Sequence, residues 1–372
     1  MKTKNVLMIL FAFAIAGLSA KAMNVSGGIY ANTTWTQINS PYIVTDTIVV
    51  FPGVTLTIEP GVVVKFDSLK FMELRQAAII AIGTITDSII FTSNSSNPMP
   101  GIWGRIWING GTMTSQFNYV SVSYSTNGIG FDYLSNDTVF LKNSIFYLNN
   151  YGFGNSSGVS YVDSCIFKNN NNVGFSGYHG YIQNSTILNN GIGAESYGII
   201  RNCVIDSNQV GINPLYQISN CVIKNNGLGL SMPHQYSVVD SCVISLNDTG
   251  IFCLGGSVRN SIIDSNLYFG FTNFLSQDTI INCQIKSNGI GIKDTSGMSM
   301  ITLNDIEDNG TGIVFGTEMI NCFCNKICGS STYDVKYTVL HGSNASLQNN
   351  YWCTNDSSMI ASHIYDDMIM WF

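Results

Sequence analysis

From about residue 141 the chain repeats one short phrase: a small residue, a spacer, an apolar residue, and three positions later an asparagine. The apolar positions Phe146, Ile166, Ile187, Ile205, Ile223, Ile244, Ile263, Ile285 and Ile306 precede Asn149, Asn169, Asn190, Asn208, Asn226, Asn247, Asn266, Asn288 and Asn309, at steps of 18 to 22 residues. In the phrase 202–212, Cys203 and Ile205 share one face of a short strand because strand side chains alternate. Asn208 then begins a turn, and Gly211 permits the bend before Ile212 opens the next strand. The phrase returns at 220–230, 241–251 and 282–292. One amide per period near twenty predicts stacked coils in which each asparagine donates to one neighbour and accepts from the other. The expected fold is all-β: a single-stranded right-handed parallel β-helix with coils of 18–22 residues and an asparagine ladder.

The spacing also orders the cysteines. Cys203, Cys221, Cys242 and Cys283 sit two residues before the inward apolar position, where Ser144, Ser164, Ser185 and Ser261 stand in other coils. A small residue pointing inward at each turn predicts buried, unpaired thiols, because neighbouring Cβ atoms about 4.8 Å apart exceed the roughly 3.8 Å of a disulfide. Cys322, Cys324, Cys328 and Cys353 fall outside this column and have room for one disulfide; a Cys-x-Cys-x3-Cys run lacks the paired spacing of structural zinc, so no metal is expected.

Composition narrows the partner. Of 372 residues 10% are charged, 36 are glycine and only 16 are Lys or Arg, with a net charge of −7. No basic stripe exists for phosphate contacts, which excludes nucleic acid. Lys2 and Lys4, an apolar run from about Val6 to Gly17, and Ala20-Lys21-Ala22 have the form of a cleavable signal peptide over 1–22. Export follows, to the periplasm, the cell surface or the medium, with no membrane span once the signal is removed. The expected organisation is a cap and entry coils over 23–140, regular coils over 141–330 and a final coil and cap over 331–372.

Three segments carry a resemblance. They are 51–66 (FPGVTLTIEPGVVVKF) with its continuation to Ile89-Ile90-Phe91-Thr92-Ser93, then Gly101-Ile102-Trp103-Gly104-Arg105-Ile106, and Asn349-Asn350-Tyr351-Trp352. In these the chain resembles bacterial secreted right-handed β-helix repeat proteins of the pectate-lyase-like superfamily; Cys353 stands where the family's exit motif has glycine. The resemblance implies fold and secretion more than activity. Lyases of that superfamily would need acidic calcium ligands beside an arginine or lysine, and calcium is expected only under that alternative; otherwise no cofactor is. Arg201 and Arg259 lie four residues before the inward column, and Asp240 holds that place in the coil before Arg259, so these three are the catalytic candidates. An ion pair between neighbouring strands explains Asp240 and Arg259 equally well. The polygalacturonase motifs are missing: Gly177-Tyr178-His179-Gly180 faintly resembles one, and the sole Asp-Asp, Asp366-Asp367, is at the far end.

The outward column Asp206, Lys224, Ser245, Asp264, Lys286, Glu307 reads as a charge ladder that sets register. Tyr178, Tyr197, Tyr216 and Tyr236, at steps of 19, 19 and 20, with His179 and His234 beside two of them, form either a solvent-facing strip for sugar rings or the filling of a corner. Three functions remain open: a non-catalytic exported β-helix binding polysaccharide or a cell-surface glycan, a polysaccharide lyase or glycoside hydrolase with Arg201 or Arg259 facing acids such as Asp206 or Asp264, and a purely structural rod.

Overall fold

The computed structural model describes residues 22–131, 136–232, 234–274, 277–317, 321–338 and 347–365. The expected signal peptide and Asp366-Asp367 lie outside them. The chain winds into a right-handed-type parallel β-solenoid of about 14 turns. One coil shows the plan: strands Val173–Gly177, Gly180–Gln183 and Thr186–Leu188 stack in three parallel ladders along the solenoid, the first two on the single strand Ile192–Arg201 of the next coil and the third on Val204–Asp206. These are called the first, second and third sheet. The only described α-helix, Ser357–Ser362, is capped by the Asp356 carboxylate, and none is long and apolar enough to cross a membrane.

Inward positions alternate with outward ones along most strands of the second and third sheets, as in Val159–Asp163 and Thr186–Leu188, so the interior is a set of apolar columns. Ile187, Ile205, Ile223, Ile244, Ile263, Ile285, Ile306 and Ile327 are fully buried in the third sheet. Toward the amino end larger rings fill the same space. Trp103 stacks on Phe66 at 4.1 Å, and Phe146 on Phe167 at 5.2 Å.

Each regular coil turns through two left-handed residues, one before and one after the third-sheet strand; Asn202 (φ 53°) and Ser207 (φ 56°) are an example. Asparagine tolerates this conformation better than other non-glycine residues. The position after the second of these holds the buried ladder. Asn208 donates its backbone N–H and its Nδ2 to Asn226 Oδ1 at 2.9 and 3.1 Å, while its own Oδ1 accepts from the N–H and Nδ2 of Asn190 at 2.9 and 3.0 Å.

One rung differs from the sequence reading. Asn170, not Asn169, is the ladder residue, and Phe167, not Ile166, points inward, so Cys165 rather than Ser164 occupies the small-residue column. Asn169 takes the left-handed place (φ 55°). The shift by one was invisible because Ile166-Phe167 and Asn169-Asn170 satisfy the same spacing in either phase.

The small-residue column has a second role beyond fitting a narrow interior. Cys165 donates its N–H to Ser185 Oγ (3.0 Å), Cys203 to Cys221 Sγ (3.3 Å) and Cys242 to Ser261 Oγ (3.1 Å). Near the carboxyl end asparagine takes over: Asn304, Asn325 and Asn350 accept in turn from Cys283, Asn304 and Asn325. Serine, cysteine and asparagine therefore interchange because each presents an acceptor to the N–H of the preceding coil. Cys328 and Cys353 form the one disulfide, and eight cysteines are free, of which only Cys324 is exposed.

Two outcomes are expected. Asn170→Ala, which leaves the Asn149 N–H without an acceptor, lowers stability in urea unfolding by about 2–3 kcal/mol, and Asn169→Ala by less than about 1 kcal/mol. Burial pushes the thiols of Cys165, Cys283 and Cys322 up to about 12, 11 and 12. A thiol reagent near pH 8 then modifies one cysteine of the native protein, Cys324, and the other seven free thiols only after denaturation.

Candidate functional site

The outer face of the second sheet carries a row of aromatic side chains. Phe140, Tyr161 and Tyr181 are register partners on the strands Thr138–Lys142, Val159–Asp163 and Gly180–Gln183, and Ile199 continues the row. They point outward because their flanking neighbours, among them Val139, Leu141, Val162 and Ile182, fill the core. Successive ring centroids are 5.2 Å apart with planes within 13°. Parallel rings in contact lie about 3.5 Å apart, so a 5.2 Å separation means that they overlap like tilted tiles and leave part of each face free. The three residues are 39, 42 and 45% exposed.

A second outward row flanks the rings, two residues further along the same strands: Lys142, Asp163, Gln183 and Arg201. The two rows together line an open groove of about 410 Å³. Arg201 Nε donates to Gln183 Oε1 at 2.8 Å. Burial raises the Asp163 pKa, but hydrogen bonds from Asn184, Ser164 and Gln183 outweigh it and hold the carboxyl below its ordinary range. The groove is thus an apolar floor with an edge of one carboxylate, one amide and two cations. It contains one carboxylate where glycoside hydrolysis uses a pair.

The sequence candidates are distributed around this groove. Arg201 lines it. Asp240 and Arg259 stand in the same row beyond it, joined Nε to Oδ2 at 3.1 Å, with Asn260 donating to the same carboxylate at 2.9 Å. Asp206 and Asp264 project from the third sheet, where Asp206 meets Lys224 at 3.5 Å, Asn225 and Ser207. Arg201 and Arg259 therefore have Gln183 and Asp240 as partners, not these acids.

Tyr178, Tyr216 and Tyr236 are all exposed, Tyr178 and Tyr236 in turns between the first and second sheets and Tyr216 within the continuous strand Val210–Ser219. The Tyr178 ring meets His179 edge-on at 4.7 Å, and His179 and His234 are exposed. Tyr197's side chain lies outside the described set. The aromatic row that does stack, Phe140, Tyr161 and Tyr181, was missed; its signal was a pair of steps, 21 and 20, close to the coil period.

Other ionisable clusters are internally satisfied. Glu73, nearly buried on the first sheet, accepts from Arg75 Nε and Nη2 at 2.9 and 2.8 Å and from Asn109 at 2.7 Å; the Arg75 hydrogen bonds are the main reason its pKa is lowered. Asp278 and Asp294 are buried and both accept from Asn273 Nδ2, at 2.9 and 2.8 Å. Among the described residues, the one cluster with metal-ligand geometry, Glu307, Cys328 and Cys353, has both sulfurs committed to the disulfide.

A family model describes a β-helix over the amino-terminal part of the chain. Residues 27–131 match the family model described as the pectate-lyase like beta helix domain. No curated protein matches the chain. Among solved structures it is similar to the periplasmic alginate epimerase AlgG, at 13% identity over 88% of this chain and 84% of that one, with a TM-score of 0.42. It is also similar to the A-module of a mannuronan C-5 epimerase from Azotobacter vinelandii, at 13% identity over 89% and 87% with a TM-score of 0.35. An alginate lyase from Paenibacillus sp. str. FPU-7 aligns at 14% identity over 85% and 93% with a TM-score of 0.20.

Proposed function

We propose that this chain, whose residues 27–131 carry a pectate-lyase-like β-helix domain, is an exported protein that holds a polysaccharide or cell-surface glycan on the second sheet without cleaving it. The observation that carries this reading is the overlapped, half-exposed row Phe140, Tyr161 and Tyr181 on the floor of a groove with a polar edge. A sugar ring has an apolar C–H face and a polar rim, and a binding surface for it needs both in parallel. The aromatic row supplies the first. The second comes from Lys142, Asp163, Gln183 and Arg201, which can accept from and donate to ring hydroxyls. Rows locked in strand register keep this surface in place before binding, which lowers the ordering cost that weak ligands otherwise meet.

The lone groove carboxylate supports binding over hydrolysis. Asp163 is held in its ionised form by Asn184, Ser164 and Gln183, and among the described residues lining the groove it is the one acid.

The test is a polysaccharide array, with and without calcium, scored for retention and for released reducing or unsaturated ends. Retention without release is expected, weakened roughly tenfold by Tyr161→Ala or Tyr181→Ala and little changed by Tyr216→Ala outside the groove. Product release that disappears in Arg201→Gln would instead establish a lyase or hydrolase.

A further inference from the structure

The charged outward column of the third sheet changes chemistry at its carboxyl end. Beyond Asp264, Lys286 and Glu307 its next member is Cys328, the register partner of Glu307. Cys353 stands in phase one coil further, two residues past Tyr351, which bridges Lys326. A carboxylate and two sulfurs, all metal-ligand types, thus follow one another on successive coils. The disulfide accounts for the sulfurs, and the acid beside them is paired with Lys326.

The three groups also converge. Glu307 Oε1 lies 3.7 Å from Cys328 Sγ, and it and both sulfurs lie within 4.8 Å of one another. Around a tetrahedral zinc ion with sulfur at about 2.3 Å and carboxylate oxygen at about 2.0–2.2 Å, an oxygen and a sulfur are about 3.5 Å apart and two sulfurs about 3.8 Å. The first separation is already present. The second requires the S–S bond to break, after which side-chain rotation across the 6.0 Å Cα separation supplies it. Glu307 and Lys326 are both partly exposed, so their pair holds the carboxylate weakly. Two thiolates and one carboxylate carry three negative charges, which a divalent ion and the Lys326 ammonium together balance.

We propose that Cys328 and Cys353, once reduced, bind a zinc ion together with Glu307, so that the closing segment is clasped to the final coils either by a disulfide or by a metal. A dithiol supplies the two electrons. Its thiolate attacks the exposed Cys353 sulfur, the S–S bond breaks, and Cys328 leaves as a thiolate that takes up a proton. The second thiol of the reductant then displaces Cys353, which also takes up a proton, and the reductant ends as a cyclic disulfide. Zinc binding releases both thiol protons, and a water fills the fourth position. The site is independent of the glycan groove, which lies on the second sheet.

The test adds cobalt(II), a spectroscopic substitute for zinc, to the full chain in its oxidised form and to the chain reduced by dithiothreitol and then freed of it under argon. The reduced chain is expected to take up one cobalt ion with thiolate-to-cobalt absorption in the near ultraviolet, and to yield it to zinc. The oxidised chain shows no such absorption. Cys353→Ser abolishes the signal, and Glu307→Gln weakens cobalt binding roughly tenfold or more. Cys324→Ser, which removes the exposed free thiol, leaves it unchanged. Circular dichroism follows the fold of each species. A reduced chain without the absorption overturns the proposal. So does uptake that survives Cys353→Ser or is lost in Cys324→Ser, since either result assigns the metal to other thiols, and so does uptake indifferent to Glu307→Gln.

Discussion

The structure depends on answering one buried N–H at each bend of the coil. Parallel strands pair along the solenoid axis, but the residue entering a bend turns its N–H toward an interior that water does not reach, and an unanswered buried donor costs on the order of 1–3 kcal/mol. A side-chain oxygen or sulfur from the next coil accepts it. Asn190, Asn208 and Asn226 do this at one bend, and Ser185, Cys221, Ser261 and Asn304 at another. Each coil is thus completed by its successor. The last member of the second column, Asn350, comes from the closing segment and accepts from Asn325 of the final coil, and the Cys328–Cys353 disulfide ties the two together.

Once the interior is arranged, the outward positions are free to differ from sheet to sheet. Identical spacing then converts single residues into surfaces. An aromatic residue at one outward position in three consecutive coils becomes an overlapped platform on the second sheet. At the corresponding position of the third sheet, β-branched residues become a stripe, with charges in the next column. The scaffold supplies register, and each face acquires its chemistry from which residue happens to be repeated.

The same logic separates the ionisable residues. Glu73 with Arg75, on one strand, and Asp240 with Arg259, on neighbouring strands, pair opposite charges, the first with its carboxylate buried and the second near the surface, and both carboxyls are held low mainly by hydrogen bonds, from Arg75 and from Asn260 respectively. Arg201 differs because its row neighbour is the neutral Gln183, which leaves a cation at the edge of the aromatic groove.

Much of this was legible in the chain itself. The asparagine period specified a parallel solenoid, since a buried amide at each turn is useful only if turns stack, and the Ser/Cys alternation placed the thiols inside. The register pair Asp240 and Arg259 and the column from Asp206 to Glu307 also followed from phase alone, because strands one coil apart must pair residue for residue. Phase failed where neighbouring residues are chemically alike, as at Ile166-Phe167 and Asn169-Asn170, and only packing chose between them. It failed again for the aromatics. Tyr178, Tyr216 and Tyr236 recur with the coil period, and so do Phe140, Tyr161 and Tyr181, but the first set is split between turns and a strand whereas the second shares one strand face and stacks. Periodicity reports that side chains recur in each coil; which of them stack, and whether they face water, depends on backbone direction at each point of the coil, and that is decided only by the folded chain.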